Sequence, residues 1–430
     1  MIRALLIFCA LVVVSCYFFS FGFTFLPPSV NTKIILAGVG CLLLFGQMVQ
    51  ARRIEISKQL FTAAALAIVF SLVCFIATDV NRTDDFAYAT YFMSFAIWLL
   101  AAYTVAFVIY KIHGFIDFHL LTFYLAAACL LQCVLAFWID SSPAVQSLVD
   151  RYVEQGQAFA QEVDRLYGIG ASLDNAGVRF SIVLIMLSTL FTKDLFEKRH
   201  VPLIAILVIT FFAIFVLGNV ISRTTSIGGA LGFAYILLST GLFSRIIRIE
   251  FVRFFSVVLI LLFLATLVAM YFYESNAIFR GYMHFAFEGF FNFYETGEWR
   301  TDSTDKLAMN MWVWPSDTQT WFIGTGLFDG WIFNTDIGYC RFVLYCGILG
   351  FSVFVLFFIF NAIAFMKKYS KHKLLFLMLL AFSFAIWFKV STDIFLIYAL
   401  FYCVEGLQGA LFTTKFHTEN ENRLFYLGNV

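Results

Sequence analysis

About twelve apolar stretches recur along the sequence, and a helix needs roughly 20 such residues to cross a bilayer. They run over 5–25, 34–50, 60–77, 91–110, 119–139, 178–191, 202–220, 226–243, 254–273, 338–365, 374–387 and 394–412. Several are too long for strands, and the ten-residue alternation of an outer-membrane barrel is absent. Charged residues make up 13% of the chain and hydrophobic ones 62%, against roughly 25% and 45–50% in a soluble domain. A chain of this kind cannot cover a soluble surface, which excludes a water-soluble enzyme. The expected fold is an all-α polytopic membrane protein with about 12 transmembrane helices, forming one integral membrane domain over residues 1–430. Net charge is +1, so no basic field points to nucleic acid.

The loops between stretches alternate in sign. One set holds Arg52, Arg53 and Lys58; Lys111; Lys193, Lys198 and Arg199; Arg245, Arg248 and Arg253; and Lys367, Lys368, Lys371 and Lys373. Arg3, Lys415 and Arg423 fall on the same side. The positive-inside rule then places both termini and these short loops in the cytoplasm. The opposite side carries an acidic excess and two long loops, 140–177 and 274–335. A chain that gathers its polar residues on one face does its work there. Within the first loop, residues 144–166 have an amphipathic spacing (Val145, Leu148, Val149, Tyr152, Val153), which predicts a helix lying on the membrane surface. The second loop mixes Phe, Trp and Tyr with acids and arginines. Aromatic residues favour the lipid–water interface, so this loop is expected to fold back onto the membrane.

Other signals carry little. The nine cysteines lie in or beside the apolar stretches and form neither a disulfide framework nor a zinc pattern. Val13-Val14-Ser15-Cys16 faintly matches a lipoprotein box but reads better as part of a first span. Asn81-Arg82-Thr83 fits a glycosylation sequon, a short and common match. No glycine-rich phosphate loop marks the cytoplasmic side, which argues against nucleotide chemistry there. No metal-ligand cluster stands outside, so no metal and no cofactor are expected.

Charges beside a span default to functional candidates. Here they gather at the outer ends of spans. Arg165 and Arg179 flank the end of the first long loop, and Arg223 sits in the short turn Ser222-Arg223-Thr224. Lys389 and Asp393 frame another short turn, while Asp336 and Arg341 stand where the second loop re-enters the membrane. Together they are expected to line one outward-facing cavity. A guanidinium makes bidentate, charge-assisted bonds and never loses its proton, which suits a phosphate. A lipid-linked pyrophosphate carries its charge at this depth, and holding it as a leaving group would be electrostatic catalysis. The competing role for Arg165, Arg179, Arg223, Arg280 and Arg300 is snorkelling to headgroups or pairing with a loop acid. His284 is the one histidine expected outside and is a candidate general base; a lone histidine among Phe285, Phe287 and Phe290 is more often a packed interfacial residue. Glu288 follows it by four positions, so one helix would give them a shared face. Glu295, Glu298, Asp302 and Asp305 are alternative bases, set against a solvated loop face.

Three segments resemble the bacterial O-antigen and exopolysaccharide polymerases, relatives of the O-antigen ligases. They are Arg165-Leu166-Tyr167-Gly168 through Asp174-Asn175-Ala176-Gly177; Ser222-Arg223-Thr224; and the series Gly297-Glu298-Trp299-Arg300-Thr301, Phe322-Ile323-Gly324-Thr325-Gly326, Asp336-Ile337-Gly338-Tyr339 and Gly347-Ile348-Leu349-Gly350. Their order on matching loops covers roughly residues 150–410. The resemblance implies a metal-independent glycosyltransferase of the bacterial inner (cytoplasmic) membrane. Such an enzyme joins polyprenyl-pyrophosphate-linked oligosaccharide repeat units into O-antigen, capsule or exopolysaccharide at the periplasmic face. It would place Arg179 and Arg223 on the donor pyrophosphate with Arg165 nearby, and Arg300 in the catalytic loop. Arg280 and Asp336 join the substrate-binding set, with His284 and Glu288 beside Arg223 and Arg300 as catalytic candidates. Gly324 and Gly326 fit a tight turn. Implied partners are the lipid-linked oligosaccharide, the bilayer and a chain-length regulator, with no nucleic acid.

The related ligases, which move glycan onto lipid A core, carry a His followed by Asn, Ser or Gln in the second loop. Here His284 is followed by Phe285, which weakens a ligase and leaves the base unassigned. A flippase-type transporter would carry polar residues at span midpoints and broken helices or repeats; the midpoints are nearly clean and Pro totals five. A lipid-phosphate-sugar transferase with an acid in its first outer loop is disfavoured because 27–32 contains none.

Overall fold

The computed structural model describes residues 2–51, 56–155, 165–191, 201–239, 249–328 and 330–412. Of the basic loop residues named above, Arg52, Arg53, Lys193, Lys198, Arg199, Arg245, Arg248, Lys415 and Arg423 lie outside the described residues, as does the 156–164 part of the expected surface helix. The described chain is all-α apart from one two-residue strand pair. In order its helices are α1 (Ile2–Phe18), α2 (Thr32–Ala51), α3 (Lys58–Asn81), α4 (Tyr91–His113), α5 (Phe118–Ser141), α6 (Pro143–Tyr152), α7 (Leu173–Ser188), α8 (Val201–Ile221), α9 (Thr225–Ser239) and α10 (Ile249–Ser275). The second long loop folds as α11 (Ala277–Ala286), α12 (Glu288–Thr296), α13 (Asp302–Asn310) and α14 (Thr318–Ile323). Then come α15 (Gly338–Lys368), α16 (Lys373–Ile386) and α17 (Phe395–Gln408).

Among the described residues, six helices are long and apolar enough to cross a membrane: Thr32–Gln50, Lys58–Asn81, Tyr91–His113, Phe118–Ser141, Pro202–Ile221 and Gly338–Lys368. This is the architecture of a multi-pass membrane protein. Ile2–Phe18, Thr225–Ser239 and Phe395–Gln408 are apolar but shorter. The stretch expected at 178–191 becomes α7, which has 16 residues. At 1.5 Å per residue it spans about 24 Å, less than the roughly 30 Å of hydrocarbon. Burial explains the shortfall: every residue from Ala176 to Ser188 except Arg179 is buried by protein. Its surroundings are α5, α8, α9 and α16.

Small residues set that packing. Between membrane helices the hydrophobic drive is weak, so close contact depends on side chains that let backbones approach. Gly228 and Gly232 put α9 against Ser181 and Leu184 of α7. Gly177 admits the turn after α8, since a Cβ there would meet Thr224 Cβ at 2.8 Å. Elsewhere α2 packs on α4, α3 on α15, and α4 on α17.

The first long loop departs from expectation. Its helix α6 ends at Tyr152, and Val153 and Glu154 instead pair antiparallel with Phe23 and Gly22. Thr24 takes the carbonyls that would continue the helix, its N–H bonding Tyr152 O at 3.2 Å and its hydroxyl Arg151 O at 2.6 Å.

The second loop is anchored on its return. Gly324 (φ 88°) and Gly347 (φ 63°) lie back to back, and a Cβ on either would collide with the other segment's backbone. Only glycine holds these angles without strain. Gly347 kinks α15, and its neighbours bond the loop: Thr325 N–H to Leu344 O at 2.7 Å, Gly326 N–H to Tyr345 O at 2.9 Å. The sequon residues belong to this anchor. Asn81 Nδ2 donates to Gly324 O and Thr83 Oγ1 to Gly326 O.

Candidate functional site

A charged cluster forms where the start of α7, the α8–α9 turn, the α16–α17 turn and the second loop meet. Its centre is Asp174 in the first turn of α7. Thr224 Oγ1 donates to Asp174 Oδ1 at 2.6 Å and Ser222 Oγ at 3.3 Å, while Lys389 Nζ lies 2.8 Å from the same oxygen. Lys389 also donates to Thr224 Oγ1 at 3.0 Å. Buried Ser222 and Thr224 thereby fix the turn that carries Arg223.

The α16–α17 turn is held from within. Trp387 is fully buried among Phe342, Phe351, Phe354 and Phe358, and its indole donates to Thr392 O at 2.8 Å. Tyr88 Oη bonds Ser391 O at 3.2 Å, and Asp393 caps α17 through the Phe395 N–H at 2.8 Å. Lys389 is therefore presented by a turn that its own core immobilises.

Arg223 and Arg165 share one aromatic floor. Their guanidinium carbons lie 4.7 and 5.3 Å from the Phe285 ring centroid. Arg223 Nη1 pairs with Glu288 Oε2, and the two side chains are 15% and 20% exposed. Glu288 Oε1 accepts from the Asp302 N–H at 2.7 Å, so the pair ties the α8–α9 turn to the second loop. Burial lowers the Arg223 pKa from its usual value, and the Arg165 charge lowers it further; Asp302 and Asp174 oppose both. Arg165 Nε is buried and, among the described residues, has no hydrogen-bond partner. Two cations beside one aromatic face, with one of them paired to a carboxylate that an anion can displace, form a site suited to an anion. Asp336 stands within electrostatic reach of Asp174, Arg341 and Lys389, and desolvation followed by the Asp174 charge raises its pKa.

The remaining candidates lie elsewhere. Arg179 points along α7, donating to Asn175 O at 3.1 Å, with Phe19 beneath it and Asp393 and Tyr17 nearby. Its Nε is buried and unbonded among the described residues. Arg280 folds onto the end of α10, donating to Tyr273 O and Glu274 O, the role of a cation at a helix C-terminus. Arg300 is half exposed and held by Glu298 at 2.9 Å and Asp305 at 3.0 Å. Those two acids raise its pKa and occupy its guanidinium.

His284 and Glu288 do not share a helix. The chain breaks at Phe287 (φ −121°, ψ 26°), so His284 lies in the last turn of α11 and Glu288 begins α12. His284 Nε2 meets Tyr273 Oη at 2.7 Å and its ring stacks on Phe291 at 4.1 Å. The exposed His284 ring is engaged by Tyr273 and Phe291, and Glu288 is the acid paired with Arg223. Sequence reasoning gave no role to Asp174 or Phe285. Asp174 lies within the first of the three resembling segments, and its place two residues after Ser172, the N-cap of α7, is the available signal. Nothing in the sequence marked Phe285 as a floor.

Among the described residues, no group of three or more His, Cys, Asp or Glu is placed to hold a metal. Comparisons with protein-family models, curated proteins and solved structures find no match for this chain.

Proposed function

We propose that this protein is a membrane glycosyltransferase that polymerises polyprenyl-pyrophosphate-linked oligosaccharide repeat units at the outer face of a bacterial inner membrane. The observation that carries the reading is the pair Arg165 and Arg223 over Phe285, with Lys389 on the neighbouring turn. These cations end where the spans meet the long loops, the depth at which a lipid-linked pyrophosphate holds its charge. The three segments that resemble the polymerase family supply Arg165, Asp174, Ser222, Arg223, Thr224 and Asp336 to this one place.

In this mechanism the donor pyrophosphate enters between Arg165 and Arg223 and displaces Glu288 from Arg223. A phosphate oxygen outcompetes the carboxylate because two guanidiniums bind it in bidentate fashion. Freed Glu288 then accepts the proton of the acceptor sugar hydroxyl. That oxygen forms the new bond to the donor's anomeric carbon as the bond to the phosphate oxygen breaks, and the electron pair leaves with polyprenyl pyrophosphate. The arginines stabilise the charge that grows on the leaving group. Lys389 and Asp174 keep the Arg223 turn in place. Phe285, standing where the ligases carry a polar residue, favours polymerase over ligase.

The test is to incubate purified protein with lipid-linked repeat units and resolve the products by size. A ladder of multiples is expected, and a chelator should leave it unchanged. A single transfer to a lipid A core acceptor, or no transfer at all, would overturn the reading.

A further inference from the structure

Beyond the charged cluster runs a row of exposed rings. Residues 311–315 join α13 to α14 without regular secondary structure, and exposed and shielded side chains alternate from Trp312 to Pro315. Val313 packs inward on the cluster of Ile337, Cys340 and Leu344, and Pro315 is buried. Trp312 and Trp314 consequently face out, each 43% exposed. Trp314 stacks on Trp321 of α14 at 5.7 Å and 11°, and Trp312 lies 5.9 Å from Trp314. Trp312 also meets Phe388 at 6.2 Å, and Phe388 meets Tyr339 at 5.0 Å. Phe388 directly precedes Lys389, so the row begins beside the cations and leads away from them. Its outer end is rimmed by exposed Ser316, Asp317 and Gln319, with the Asp317 carboxylate fixed by the Thr320 N–H and hydroxyl at 2.9 and 2.6 Å.

We infer that this row is a saccharide-binding track, on which pyranose rings of the glycan pack as it enters or leaves the cationic site. A pyranose presents C–H groups on its faces and hydroxyls at its rim. The C–H groups carry partial positive charge and pack on the electron-rich face or edge of an indole. The hydroxyls need acceptors at the border, which the rim residues provide. An acyl chain would match the rings but not the hydrogen-bonding groups at their border. Naming the ligand as the growing glycan rests on the polymerase reading; saccharide binding by the row does not.

The experiment uses the full chain in nanodiscs of phosphatidylethanolamine and phosphatidylglycerol, probed on an array of bacterial O-antigen and capsule oligosaccharides. Wild type should bind a subset. Trp314→Ala should weaken that binding about tenfold, with Trp314→Phe intermediate and both melting near the wild-type temperature. In the polymerisation assay Trp314→Ala should shorten products without abolishing the first transfer. Bromine-labelled acyl chains should quench wild type and a Trp312→Phe/Trp314→Phe/Trp321→Phe variant by the same absolute amount. The track is overturned if wild type binds nothing on the array, or if Trp314→Ala binds like wild type. A loss of bromolipid quenching in the triple variant would also overturn it, by making the row a membrane anchor. If wild type binds glycans through the row yet builds no polymer, the polymerase reading falls and the track stands.

Discussion

Replacing Arg223 by alanine separates a catalytic arginine from a structural one, because its effect on stability and its effect on rate can be read in different variants. In the resting structure Arg223 pairs with Glu288, and both side chains are largely shielded from water. Removing the guanidinium leaves Glu288 with one neutralising contact, the Asp302 N–H at 2.7 Å. A partly buried carboxylate stripped of its ion partner costs about 1–3 kcal/mol. Changing Glu288 to glutamine in the same chain removes the stranded charge while its carbonyl still accepts from Asp302. Most of the lost stability should therefore return in the Arg223→Ala/Glu288→Gln double variant. The rate is read instead on the Arg223→Ala single variant at a temperature where it stays folded, because Glu288 is the proposed base and glutamine there removes it. A donor to developing charge contributes roughly 100- to 1,000-fold in turnover, and Arg165 is left as the single guanidinium on the Phe285 floor. The measurements are thermal unfolding in detergent and initial rates of ladder formation for wild type, both single variants and the double variant. A near-wild-type rate from folded Arg223→Ala, with Glu288 still present, would refute the assignment, since Arg223 would then be only the counter-ion of Glu288.

Arg300→Ala should slow ladder formation less than Arg223→Ala, because Glu298 and Asp305 already occupy its guanidinium; equal losses in parallel rate assays would return Arg300 to the reaction. Gly347→Ala should lower the melting temperature sharply, since a side chain at φ 63° costs about 1–3 kcal/mol before it meets Phe322 O; an unchanged melting curve would count against the interlock. Asp336→Asn should raise stability at neutral pH. Its folded pKa lies above the ordinary carboxylate value, so the penalty is full above the folded pKa, falls as acid protonates the group, and vanishes below the unfolded value. Melting temperatures of the two proteins should converge as pH is lowered, and a gap that widens instead would reverse the sign.

Much of the fold could be read from hydropathy because a bilayer imposes length and apolarity on whatever crosses it. The reading was weakest where a helix is surrounded by protein. The apolar run around α7 resembles a span in sequence, yet 16 residues suffice because its neighbours, not lipid, enclose it. The first loop was misjudged for a local reason: amphipathic spacing continues through Val153, but Thr24, far earlier in the chain, captures the carbonyls that would extend the helix. For the site, residue type pointed to Arg165, Arg223, Glu288, Lys389 and Asp336, since charges at span ends are few and costly. Partner choice could not be read. Arg300 finds its acids within its own loop, Arg280 a helix end, and His284 an aromatic slot, each decided by a backbone break or turn that charge patterning does not encode. Phe285 was legible only as a departure from the ligase pattern, and its contact with two arginines needed three dimensions.

The bonds that anchor the second loop also order the protein's biogenesis. Asn81 and Thr83 at the end of α3 find their acceptors at Gly324 and Gly326, and Tyr345 donates to Asp85 O. Each of these contacts joins residues more than two hundred positions apart, as does that between Tyr17 and Leu396 O. During synthesis the amino-terminal helices enter the bilayer long before those acceptors exist. The end of α3 must wait, its polar groups satisfied by water at the interface, until α15 arrives and the loop locks against its kink. A chain truncated before residue 324 would keep most of its spans and never close the face on which the charged cluster is built, and surveillance proteases would meet it there.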